Sequence, residues 1–213
     1  MKIADSRIKP TFELEAAEHQ LGFRPIAGVD EAGRGPWAGP VVAAAVILDP
    51  DKIPANIDDS KALDEESRAY LFNRIMKVAI VGVGVAEVDR IDRDNILAAT
   101  LWAMAQAIGQ LANAPKLVLV DGNKAPRVAM TTRTIIKGDA KCLSIAAASI
   151  IAKVTRDRIM VQMARDYPGY GFERHKGYGT PEHQAAINKL GVSPLHRRSF
   201  KPVQLALGLG ALV

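Results

Sequence analysis

The 213-residue chain has a single cysteine, Cys142, which excludes an internal disulfide, and its four histidines fall into no zinc-ligand spacing. A reducing compartment is expected. Cys142 lies beside an alanine-rich apolar stretch and is expected to be a packed thiol rather than a nucleophile. No apolar run approaches the ~18 residues of a membrane-spanning helix. The segment from Met1 to Arg7 lacks the apolar core of a secretory leader, so a cytoplasmic protein is expected. Gly-x-Ser-x-Gly and Gly-x-x-x-x-Gly-Lys-Ser/Thr are both missing, which removes serine hydrolases and P-loop nucleotidases. Repeats and low-complexity linkers are missing too.

With 48% hydrophobic residues, the chain is long enough for one well-buried domain over 1–213, with a core over about 22–166 and a C-terminal helical segment over about 167–213. Its formal charge of +5 is unevenly spread. Residues 1–122 hold 13 Lys and Arg against 18 Asp and Glu, whereas residues 123–213 hold 15 against 5. That basic second part points to a polyanionic partner such as nucleic acid.

Patterning predicts a mixed α/β sheet flanked by helices. A weak, peripheral helix over 11–21 precedes a strand at 26–30, and the unbroken apolar octet 41–48 suits a strand covered on both faces. A helix starting near Asp64 is expected to bury Phe72, Ile75, Met76 and Ala79. In the next strand, 80–86, Gly82 and Gly84 point to a close backbone approach. A helix from about Asn95, capped by Asp94, carries the apolar stripe Leu97, Leu101, Met104, Ile108 and Leu111. Strands at 116–120 and 131–137 lead to a helix from about Leu143 to Arg165. Residues 167–179 read as loop, and Thr180, Pro181 and Gly191 frame one more short helix.

Asp30-Glu31, Asp121 and Asp139 each close a predicted strand next to glycine, where an α/β sheet opens its ligand crevice. Carboxylates converging there repel one another unless a divalent cation lies between them, and an all-oxygen set suits Mg²⁺ or Mn²⁺. A metal pair about 4 Å apart would hold the attacking and leaving oxygens of a phosphodiester. Strand neighbours point to opposite faces, so Asp30 and Glu31 reach one ion only if the strand breaks or bulges there.

The turn Gly33-Arg34-Gly35-Pro36-Trp37-Ala38 is open to three readings: a Gly-x-Gly-x-x-Ala dinucleotide loop, a tight hairpin, or a backbone approaching a ribose or phosphate with Arg34 as its charged contact. Pro36 and Pro40 argue against the first, since a helix cannot start cleanly there. Tyr167–Thr180 interleaves aromatics, cations and glycines, either to stack on a nucleotide or to anchor the loop to the core. The stretch from Leu195 to Lys201 is a second basic-aromatic cluster, and Lys153 and Arg156 share a helix face that reads as solvated.

The run from Gly28 to Ile47 closely resembles the opening signature of bacterial ribonuclease HII. The resemblance continues through Asp59-Ser60-Lys61, Val120-Asp121-Gly122, Lys137-Gly138-Asp139, Ala147–Asp157, His175–Thr180 and Leu195–Phe200, covering about residues 25–203. It implies an RNase H-like core with a small C-terminal helical segment, and an endonuclease that cuts the RNA strand of RNA/DNA hybrids and at single ribonucleotides in duplex DNA. By motif, Asp30, Glu31, Asp121 and Asp139 become the metal-binding catalytic carboxylates for Mn²⁺ or Mg²⁺. Gly33, Arg34 and Gly35 become the reader of the ribose 2′-hydroxyl, Tyr178 a stacking residue at the junction, and Lys61, Ser149 and Lys153 substrate contacts. Trp37 stands where that motif commonly has leucine. Hydrolysis 5′ of the ribonucleotide, leaving 3′-hydroxyl and 5′-phosphate ends, by a monomer that touches no membrane is the resulting expectation. The alternative is a non-catalytic RNA/DNA-hybrid binding protein on the same fold.

Overall fold

The computed structural model describes residues 9–209; the segment from Met1 to Arg7 considered above lies outside them, as do residues 210–213. Helix α1 (Glu13–Gln20) precedes strand β1 (Ile26–Ala32) and β2 (Val41–Ile47); then come α2 (Glu65–Val78), β3 (Ile80–Ala86), α3 (Val88–Asp94) and α4 (Ile96–Gly109). Strands β4 (Leu117–Asp121) and β5 (Thr131–Ile135) follow, then α5 (Leu143–Asp166), α6 (Phe172–His175), α7 (Pro181–Leu190) and α8 (Lys201–Ala206). The sheet order is β3-β2-β1-β4-β5, with β3, β2 and β1 antiparallel neighbours and β1, β4 and β5 parallel ones.

The fully buried β2 is covered on both faces, as its continuous apolar run predicts. Its odd residues Val41, Ala43 and Ala45 face α4, together with Ala27 and Val29 of β1. Its even residues Ala44 and Val46 face α5 and α2. Small side chains allow the close fit: a Cβ on Gly82 or Gly84 would lie 2.1 or 2.0 Å from a carbonyl oxygen of α4, confirming the expected backbone approach. On the other face Ala146, Ala147 and Ala148 bring α5 down onto the sheet.

Several local expectations shift. Asp64 caps α2 by accepting from Ser67 N–H, but the buried face is Leu71 and Ile75, while Met76 is exposed. The Asp94 cap is replaced by Asn95, whose side chain accepts from Leu97 and Ala98 N–H, because Asp94 ends a separate helix, α3. Leu97 drops out of the core stripe, which uses Ala99, Ala103, Met104, Ala107 and Ile108. Helix α1 is less peripheral than expected, since buried Glu15 accepts from Ser144 N–H at the start of α5. Cys142 is a buried thiol whose pKa burial pushes far up, as a packed rather than reactive group requires. Among the described residues, no helix is long and apolar enough to cross a membrane.

Candidate active site

Strands β1 and β4 run parallel, and Val29 pairs with Val120, so Asp30 and Asp121 emerge side by side at their C-terminal ends. Strand β5 stops at Ile135, two residues short of its predicted end, and Asp139 arrives on the 3₁₀ turn Gly138–Ala140. Asp121 Oδ1 accepts from Gly138 N–H at 2.7 Å and so ties that turn to β4. Oxygens of Asp30, Asp121 and Asp139 then lie within 4.8 Å of one another.

Glu31 is the exception. The β1–β2 register runs unbroken through Asp30, Glu31 and Ala32, so the expected break or bulge is not there. Glu31 falls on the α4 side of the strand, where Arg34 donates to its Oε1 at 3.2 Å, although it still lines the same pocket as Asp30.

Electrostatics mark the cluster as short of positive charge. Burial, helped by the charges of Glu31 and Asp121, pushes the Asp30 carboxyl well above the ordinary range. Burial also raises Glu31, against Arg34, and raises Asp139, where Asp121 adds to it. The cation nearest Asp139 is largely solvated: Lys61 Nζ lies 3.5 Å from it with 81% of its side chain exposed. Three converging hard oxygens, with Asp30 and Asp139 raised in proton affinity, fit a divalent cation of the Mg²⁺ or Mn²⁺ type and give no soft ligand for zinc or copper.

The pocket, about 300 Å³, also takes in Gly33, Arg34, Gly35, Lys61, Lys153 and Tyr178. Lys153 pairs with Asp157 at 2.8 Å. Ser149 is placed differently from the other predicted contacts. It is buried, donates to Ala146 carbonyl and accepts from Ser60 N–H, so it holds the loop that carries Lys61 rather than facing the pocket.

The opposite wall is built from behind by two residues the sequence did not single out as structural. Arg156 and Arg197 are 1% and 0% exposed, and no carboxylate pairs with either among the described residues. Arg197 donates to the carbonyls of Gly33, Arg34, Gly39 and Pro40, and Arg156 to those of Ala38, Pro40 and Lys176. Burial, with the Arg156 charge beside it, brings Arg197 down to about 9. A planar trans peptide sets its N–H opposite its C=O. Carbonyls 33 and 34 aimed at Arg197 therefore turn the N–H groups of Arg34 and Gly35 the other way. Gly33 has no substitute here: its φ is +97°, and a Cβ would lie 2.0 Å from Arg156 Nε.

Both basic-aromatic motifs thus lose part of their expected surface role. Arg156 is internal, as are His196 and Arg197, and Tyr170 and Phe172 are core anchors stacked 5.3 Å apart. Tyr178 alone of that loop's rings is exposed at the pocket, 46%. Trp37 packs on Gly179, tying the turn to the Tyr178 loop. The turn joins two antiparallel strands, β1 and β2, which rules out the strand-to-helix geometry of a dinucleotide loop.

Acids at the ends of neighbouring strands of this five-stranded mixed sheet, facing a braced glycine loop, define a nuclease of the ribonuclease H type. The solved ribonuclease H2 of Pyrococcus horikoshii OT3 superposes with a TM-score of 0.72 at 28% identity over 85% of this chain and 96% of its own. Bst-RNase HIII in complex with Mn²⁺ shares the fold, with a TM-score of 0.69 at 22% identity over 92% of this chain and 73% of that one. Ribonuclease HII of Rhizorhabdus wittichii is 58% identical over 91% of this chain and 94% of its own length, and that of Bradyrhizobium diazoefficiens 57% over 93% and 76%. The Ribonuclease HII family pattern matches residues 27–203. The chain belongs to the ribonuclease HII family, endonucleases of the type 2 ribonuclease H class that act on RNA/DNA hybrids.

Proposed function

We propose that the chain cuts on the 5′ side of a ribonucleotide embedded in duplex DNA, as well as in longer hybrids, leaving 3′-hydroxyl and 5′-phosphate ends. Asp30, Asp121 and Asp139, with Glu31 at the rim, would hold Mg²⁺ or Mn²⁺. The observation that carries this reading is the convergence of three carboxylates within 4.8 Å, two of which, Asp30 and Asp121, line a pocket that also contains the Gly33–Gly35 loop and Tyr178.

Bound there, divalent cations would offset charge on the scissile phosphate and lower the pKa of an attacking water. The protein's own groups do the rest. The outward N–H groups of Arg34 and Gly35 donate to a ribose 2′-oxygen, an acceptor that deoxyribose lacks. The 2′-hydroxyl is therefore read and is not the nucleophile. Tyr178 stacks against the sugar on the far side of the junction, Lys61 and Lys153 meet phosphates, and Ser149 acts through the Ser60–Lys61 loop. Every residue named for the site comes from one chain, and we read the protein as a monomer that works on duplex, with the cytoplasm as its place of action. The segment after residue 166 serves it by supplying Tyr178.

The test is incubation of a DNA duplex carrying one ribonucleotide with Mg²⁺ or Mn²⁺. Cutting 5′ of that nucleotide with a 5′-phosphate product is expected, together with its loss in Asp30→Asn. A cyclic 2′,3′-phosphate, or cutting restricted to long hybrids, would overturn the reading.

A further inference from the structure

Behind Tyr178 lies a cluster of three histidines that the proposed chemistry does not use. His183 is 0%, His196 1% and His175 9% exposed. His175 stacks on His183 with ring centroids 4.5 Å apart, and His183 Nε2 meets His196 Nε2 at 3.0 Å. Two imidazole nitrogens in contact need one proton between them, and the surrounding partners decide which ring supplies it.

The assignment runs inward from Ser193. Its backbone N–H donates to His196 Nδ1 at 3.0 Å and its hydroxyl lies 2.8 Å from the same nitrogen, so Nδ1 is bare and His196 carries its proton on Nε2. His196 therefore donates to His183 Nε2. That leaves His183 with its proton on Nδ1, which donates to the Tyr178 carbonyl at 3.0 Å. Alongside, Gly177 N–H donates to His175 Nδ1, so His175 Nε2 donates to the Tyr170 carbonyl. Tyr178 N–H donates to the His175 carbonyl, and Trp37 N–H to the Gly177 carbonyl. Each ring has one tautomer that satisfies its partners. An extra proton on either His183 or His196 sets two donors face to face somewhere between Ser193 and Tyr178.

We infer that His183 and His196 form a one-directional hydrogen-bond relay that positions Tyr178 at the pocket mouth. This rests on Tyr178 having the stacking role proposed above. The relay fixes the peptide plane after Tyr178, and with it the direction of the ring, while Phe172, packed edge-on to His183 at 5.5 Å, and Trp37, 5.5 Å from His183 on another side, keep water out. The titratable or charged groups around the pair are His175, Tyr170, Glu182 and Arg197. Tyr170 hydroxyl is engaged with Gly191 carbonyl, Glu182 with Arg174, and Arg197 with the loop carbonyls. Only Glu182 favours a charged His183, and it is already paired with Arg174 and is outweighed by burial. Burial lowers both His183 and His196, the latter to about 4, in keeping with neutral rings.

Two experiments test the relay. The first reads ring ¹⁵N shifts of the wild-type protein at pH 7. Nδ1–H on His183 with Nε2–H on His196 and His175 is expected, and the opposite tautomers or a doubly protonated ring would overturn the relay whatever Tyr178 does. The second is a double-mutant cycle with His183→Phe and Tyr178→Ala on a duplex with one ribonucleotide. His183→Phe should slow that cut about tenfold in the wild-type background, the worth of one positioning hydrogen bond, and have no further effect once Tyr178 is alanine. His183→Asn, which can still donate to the Tyr178 carbonyl, should recover part of the loss. An equal loss in both backgrounds makes His183 merely structural and overturns the proposal. Unchanged cutting by Tyr178→Ala alone would remove the stacking role instead and leave the tautomer result standing.

Discussion

The two walls of the pocket are built on opposite plans. On one, Asp30 and Asp121 project from adjoining strands, buried and short of positive charge. On the other, the Gly33–Pro40 turn and the short stretch around Tyr178 after α6 lie outside helices and strands and are gripped from behind by buried arginines and histidines. In the proposed function the chemistry lies on carboxylates held mainly by the sheet, whose geometry comes from the backbone ladder, and recognition lies on loops whose geometry is borrowed from distant side chains. The carboxylate wall sacrifices stability for function, whereas the loop wall needs the same residues for both.

The sharpest way to break this comparison is to neutralise one member of each wall. Asp30→Asn should lower cutting by about 10²–10³-fold or more, yet raise the melting temperature of the protein in EDTA, because it removes a buried charge that its neighbours repel. Arg197→Met should lower cutting and also cost about 3 kcal/mol or more in urea melts, since several carbonyls lose their donor at once. Arg197→Lys should rescue little, because an ammonium cannot span the same fork. If Asp30→Asn destabilises the metal-free protein, or Arg197→Met leaves stability intact, the two walls are not different in kind.

Next in size is Tyr178→Ala, which should cut single-ribonucleotide duplexes about tenfold to a hundredfold more slowly, within the worth of one base-stacking contact, while melting near wild type. Equal rates would misassign the exposed ring.

The walls should also answer pH with opposite signs. Asp30, Glu31 and Asp139 have raised carboxyl pKa values, so their contribution is present below the unfolded value of about 4 and is lost as pH rises through their folded values. His183 and His196 are lowered, so theirs is present above the unfolded value of 6.5 and lost as pH falls towards about 4. Denaturation in EDTA across this range should show both slopes. His196→Phe should flatten the acid side, and Mn²⁺ the other. The smallest effect expected is Arg34→Ala, which should reduce the salt slope of hybrid binding by about one.

Much of the carboxylate wall was legible in the sequence. An apolar run that stops at an acid beside glycine states both a strand and its end, and that is true of Val118–Asp121 whatever the fold. Glu31 was misjudged because a strand can remain regular and still present both faces to a crevice at its tip. The loop wall was far less legible. Arg156 and Arg197 look like any solvated cation in sequence, since nothing local distinguishes a guanidinium that finds carbonyls more than a hundred residues away. The available hint is the repeated pairing of basic residues with glycine and aromatic loops, which sequence alone leaves open between a nucleotide-stacking surface and an anchor to the core. Likewise Leu71 joins Ile75 on the buried face of α2, while Phe72 packs against that core only partly buried, with Arg158 of α5 lying over its ring.

Helix α5 links the two walls. Ser149 braces the Lys61 loop beside the carboxylates, and Arg156 braces the turn that faces them. Seven residues separate the two, nearly two full turns or about 10.5 Å along the axis, so both project from one side of a stiff rod. A single inserted residue between them would rotate one brace by about 100° from the other. The helix is therefore a gauge: in the proposed function, the interval between the bond to be cut and the sugar to be tested is set in units of helical rise.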